Sequence, residues 1–83
     1  MAKEKPIGEV THYYDHIGVA IVKFTKTVSV GDKIKFKGAN TDFEQEIESI
    51  QYDHKEVKNA KKGQEVGVKV DEKVHEGNEV YEA

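Results

Sequence analysis

The chain contains no cysteine, which excludes a disulfide framework, a thiolate nucleophile and a sulfur-ligated zinc site. Arginine is missing as well, since all 13 basic residues are lysine. Without the planar guanidinium fork there are no bidentate contacts to phosphate or guanine and no guanidinium stacking on a base. Leucine and tryptophan are also absent, and methionine and proline occur once each. No apolar run approaches the roughly 18 residues that suggest a membrane-spanning helix, and no stretch has the make-up of a secretory leader. These absences give the expectation of a cytoplasmic protein with no membrane partner.

The apolar residues that remain are mostly β-branched: eleven valines and six isoleucines. Such side chains lose rotamer freedom in a helix and pack well on a pleated sheet, so strands are expected throughout. At 83 residues a chain buries only about 60% of its unfolded surface and has little room for a deep cleft, so any site is expected on the surface. Sixteen acidic residues against 13 basic ones leave a net charge of -3. A generic nucleic-acid binder should be basic, and no DNA partner is expected.

Pro6 separates a polar segment, residues 1–6, from the first apolar residue. It is read as a flexible tail ahead of one folded unit, residues 7–83. Ile7 to Tyr14 and Val19 to Phe24 flank the turn-forming Asp15-His16-Ile17-Gly18 and predict a β-hairpin. The second of these runs is apolar on both faces, as in a central, covered strand. After the turn signal Gly31-Asp32, Lys33 to Lys37 alternates strictly, with Ile34 and Phe36 inward. Gly38 to Asp42 predicts a loop. From Phe43 to Tyr52 a strand is expected with a β-bulge, because the apolar parity switches between Ile47 and Ile50. A short strand and turn then end at Gly63, Glu65 to Val70 places Val66, Val68 and Val70 inward, and a last strand surrounds Val80-Tyr81. Six or seven short strands with glycine turns predict an all-β, small closed barrel.

No catalytic constellation is visible. Ser29 and Ser49 have no base nearby in sequence, and the glycines are isolated rather than clustered to cradle phosphate. The tripeptide Tyr-Asp-His occurs twice, at residues 14–16 and 52–54. It raises a metal or proton-transfer site if the two loops meet, but Asp-His at strand ends is ordinary turn chemistry and no zinc spacing links the pairs. Hence no catalytic residue, metal or cofactor is expected. Tyr13, Tyr14 and Tyr52 near strand ends are either stacking platforms or plugs of the barrel. Lys33, Lys35 and Lys37 form a one-sided row about 14 Å long, read as a solvated face that protects an edge.

Several segments, in this order, carry a resemblance: Ile7-Gly8-Glu9-Val10-Thr11; Val28 and Val30-Gly31-Asp32-Lys33-Ile34; Glu46-Ile47-Glu48-Ser49-Ile50; Val57, Ala60 and Gly63 with Val66-Gly67-Val68; and Gly77 with Val80. Together they resemble the β-barrel second domain of the translational GTPases, the elongation factor Tu family, with Thr11-His12-Tyr13 where that family has Thr-Gly-Arg. The chain is also similar to stand-alone translation elongation factor-like proteins and, more distantly, to the C-terminal barrel of collagenase-like peptidases. The resemblance implies a non-catalytic binding module that contacts tRNA, the ribosome or a translation protein. The contact would lie at one end of the barrel, through Thr11, His12, Tyr13, Tyr14, Asp15 and His16 together with Thr41, Asp42 and Phe43. The alternative is a protein-interaction barrel that works in trans with an enzyme such as a collagenase-like peptidase.

Overall fold

The computed structural model describes residues 5–39, 41–53 and 55–83. Most of the tail expected over residues 1–6 therefore lies outside the described residues. The valine-rich stretches are strands, as their composition predicts: β1 (Gly8–Tyr14), β2 (Val19–Phe24), β3 (Val28–Ser29), β4 (Lys33–Gly38), β5 (Thr41–Glu46), β6 (Ile50–Tyr52), β7 (Lys55–Val57), β8 (Asn59–Ala60), β9 (Glu65–Lys69) and β10 (Glu79–Glu82). The fold is all-β, with no helix among the described residues.

Eight strands form one sheet in the order β5-β4-β10-β1-β2-β9-β6-β7, and β3 pairs with β8 in a separate ribbon. Every pairing is antiparallel. The expected closed barrel is not what the backbone hydrogen bonds make, because β5 and β7 stand at the two ends of the sheet order. The gap beside β5 is instead bridged by one side chain. The amide of Gln45 donates to the Lys69 carbonyl at 2.8 Å, and its oxygen accepts the Asp71 N–H at 2.8 Å. Gln45 is buried, as a polar group can be when its amide finds backbone partners on both sides.

The core is the inward parity of these strands. Val22, Phe24, Ile34, Phe36, Ile50, Val68, Val74 and Val80 are fully buried. Burying each such side chain contributes about 1.5–3 kcal/mol relative to leaving it in water, offset largely by chain entropy. The Asp32 carboxylate accepts the Ser29 N–H at 2.8 Å while the Asp32 N–H donates to the Ser29 carbonyl at 3.0 Å. That reciprocal turn places Gly31 at a φ of 96°, a left-handed geometry that favours glycine.

Two expectations need correction. The single strand over Phe43 to Tyr52 is two strands in different parts of the sheet. Residues 47–49 cross from β5 to β6, and that crossing, not a bulge, accounts for the parity switch. The bulge lies in β1, where the register to β2 shifts between Val10 and His12. The loop expected over Gly38 to Asp42 is largely strand, since Gly38 pairs with Thr41 and Lys37 with Asp42; Asn40 lies outside the described residues.

Candidate functional site

The β1–β2 and β4–β5 hairpins are not adjacent in the sheet, since β10 and β4 stand between β1 and β5. Of the second group, Thr41 is buried and Phe43 packs its ring on Phe36 with centroids 5.1 Å apart. Of this half of the expected site, the Asp42 side chain is the one exposed to solvent, opposite Lys37.

The first group divides by strand parity. Tyr13 packs partly buried against the core. Thr11 sits at the bulge, its hydroxyl 3.1 Å from the Glu65 carboxylate and 3.3 Å from the Ile21 carbonyl, tying β1 across β2 to β9. His12 and Tyr14 share the outer face, with ring centroids 6.4 Å apart, and His12 Nδ1 lies 3.4 Å from the Glu76 carboxylate. The turn residue His16 is solvated, its Nε2 3.8 Å from Asp15. No group of three metal-ligating side chains occurs among the described residues. His54, needed for a site between the two Tyr-Asp-His turns, lies outside them.

The outer face reveals a groove of about 400 Å³ across β1, β2 and β9, bounded at one side by the β6–β7 turn. Its apolar wall is Tyr14, Ile17, Val19 and Ile21; its floor is Gly67 with Gln51 beside it; Glu65 and Asp53 supply carboxylates at the other end. Tyr14 is 49% exposed and Ile17 is 66% exposed. Gly67 pairs with both Ile21 and Gln51, so the missing side chain leaves a dent between them. A Cβ there would come within 3.2 Å of a Val19 methyl. Tyr14 and Ile17 lie within the hairpin end expected to bind, whereas Val19, Ile21 and Gly67 do not. Their signal was the two-faced apolar pattern of β2. It predicts cover on both sides, yet only the Ala20, Val22 and Phe24 face is buried while Val19 and Ile21 stay half-exposed.

Charge sets the opposite flank apart. Lys33, Lys35 and Lys37 of β4 face Glu46, Glu44 and Asp42 of β5, residue for residue. On the other side Lys37 pairs with Glu79, and its ammonium lies 5.8 Å from the centre of the Tyr81 ring. The lysine row is thus one rung of an alternating-charge ladder. Such cross-strand pairs contribute about 0.2–1 kcal/mol each, which leaves the row little free positive field for an anionic partner.

Comparison with known proteins overturns the expected kinship. No family model matches the chain. An uncharacterized protease of Methanocaldococcus jannaschii is 40% identical over 76 residues, which are 90% of this chain but 19% of the protease. This chain therefore spans about a fifth of the length of the curated relative it matches. Two crystal structures of the C-terminal domain of a Geobacillus thermoleovorans protein assigned as a U32 peptidase share the fold, each with a TM-score of 0.87. One is 28% identical and covers 94% of this chain and 99% of its own; the other is 26% identical and covers 100% and 98%. The resemblance to translation-factor domain II is corrected accordingly, and the RNA-binding role and translation elongation factor-like character inferred from it fall with it. The chain is similar, over nearly its whole length, to the C-terminal domain found in U32-type peptidases.

Proposed function

We propose that this chain is a non-catalytic accessory domain that serves the catalytic part of a U32-type peptidase, on the same polypeptide or on a separate one. The observation that carries the reading is the 40% identity to a segment that makes up only 19% of a protease. The remaining four-fifths of that protein has room for a catalytic unit that this fold does not supply. The chemistry agrees. Hydrolysing a peptide needs an activated nucleophile, or a metal-bound water, beside a positioned general base. The exposed His12–Glu76 and His16–Asp15 pairs lie on open surface, and no group of three His, Cys, Asp or Glu side chains that could hold a metal occurs among the described residues.

The test is affinity capture of the tagged chain from lysate of its own cells, with and without nuclease, alongside a casein-hydrolysis assay of the purified chain. Recovery of a U32-type peptidase insensitive to nuclease, with no hydrolysis by the chain alone, is the expected result. Nuclease-sensitive ribosomal proteins, or proteolysis by the isolated chain, would refute it.

A further inference from the structure

Resting on that accessory reading, we infer that the outer-face groove over Gly67 is where the domain seats against the catalytic part of its peptidase, taking an apolar side chain flanked by a lysine or arginine. Four observations converge on this face. β2 lies between β1 and β9 and is apolar on both faces, a pattern found where both faces of a sheet are covered. Here one face is covered and the other holds the half-exposed Val19 and Ile21 beside the exposed Tyr14 and Ile17. Contiguous exposed apolar groups rimmed by polar ones mark interaction surfaces.

Gly67 is the second observation. It is not among the glycines with positive φ, so its backbone conformation does not call for glycine, and glycine inside a strand is unfavourable relative to alanine. What glycine provides there is room for the Val19 and Ile21 side chains, whose methyl groups lie 3.2 and 3.6 Å from where a Cβ would sit, so that they fold over the strand and form the groove wall beside it.

Third, the groove ends at Asp53 and Glu65; Glu65 faces Lys23 across the β2–β9 pair and accepts the Thr11 hydroxyl, which leaves Asp53 at the β6–β7 turn as the carboxylate that gives this end its acidic character. An apolar slot that ends at an exposed aspartate favours an apolar group next to a cation over the phosphates of a nucleic acid.

The fourth observation concerns the occupant. The G. thermoleovorans domain crystallised as a chain that this one covers to 99%, so the fold stands without the rest of the peptidase. About four-fifths of the M. jannaschii relative lies outside the matching segment, and that remainder is available to cover the face. A second copy of this chain fits less well, since it would bring its own carboxylates to this acidic end.

Because the chain has no cysteine, a single introduced thiol reports on one place. Ile17→Cys, Gln51→Cys and, as a control on the charged flank, Glu44→Cys are labelled with maleimide in two settings. One is the isolated chain; the other is the full-length M. jannaschii protease with its matching 76-residue segment replaced by this chain. Labelling at positions 17 and 51 should slow at least tenfold on joining, while position 44 stays unchanged. Slowing at position 44 alone would mean that another face docks, which overturns this inference and leaves the accessory reading standing. Equal rates at all positions would overturn docking altogether. Concentration-dependent slowing in the isolated chain would assign the face to a second copy and overturn the choice of occupant. Ile17→Asp, at a position 66% exposed and so compatible with folding, should reduce capture of the peptidase at least tenfold with an unchanged circular dichroism spectrum. Undiminished capture would equally overturn the surface.

Discussion

Replacing Gln45 by leucine isolates the clasp beside β5. The two side chains are similar in size, so the apolar volume under β5 is largely kept while both amide hydrogen bonds, to the Lys69 carbonyl and from the Asp71 N–H, are lost. A buried backbone group left without a partner costs about 1–3 kcal/mol. Two such groups give roughly 2–6 kcal/mol, reduced toward 2–4 because both lie at a strand end that water can reach. A chain of this size is stable by roughly 4–12 kcal/mol, so the change removes a large share of the total. With a urea m-value near 1 kcal/mol/M, the unfolding midpoint should fall by about 2 M or more. The assay is urea unfolding followed by circular dichroism, with Lys35→Ala as a surface control expected within about 0.5 kcal/mol. A Gln45→Leu midpoint within that same margin would refute the idea that this one side chain holds β5 to the end of β9.

Two further predictions concern the faces of the sheet. Val22→Ala, at a fully buried position, should cost about 2 kcal/mol or more, whereas Ile21→Ala, half-exposed on the groove, should cost roughly 1 or less despite the larger side chain removed. Equal midpoints in urea would contradict the assignment of inner and outer faces. Glu44→Lys sets a second ammonium opposite Lys35 and should destabilise by about 0.5–1 kcal/mol at low salt. The difference should shrink in 1 M sodium chloride, where screening acts within about 3 Å, and a salt-independent loss would mean that the ladder is not electrostatic.

Much of the fold was legible in local pattern. The span of β2 and the inward set of β4 followed from β-branched content and parity, and the turn at Gly31-Asp32 from its residue types. Strand order was not legible, because the pairing of β10 between β1 and β4 depends on long-range closure that no short window records. Two features did leave local traces that point elsewhere. Phe43, Gln45 and Ile47 share one parity, so a polar residue sat at an inward position and signalled the clasp. Asp42, Glu44 and Glu46 alternate as the lysines of β4 do, the trace of the charge ladder. Val74, fully buried within a polar stretch, had no periodic neighbours to betray it. At the candidate site, the exposure of Tyr14 on the groove was foreshadowed by its position at a hairpin end. The groove around Gly67 was missed because a two-faced strand was taken as already covered.

The Gln45 clasp bears on how such a domain can change over generations. A backbone ladder accepts almost any residues but dictates the lengths of the segments it joins. A side-chain bridge does the reverse: it demands one residue type at one height and leaves the adjoining connection free to grow or shrink. The joint between β5 and the end of β9 is therefore the part of this architecture most tolerant of changes in spacing, provided that a glutamine continues to bridge it.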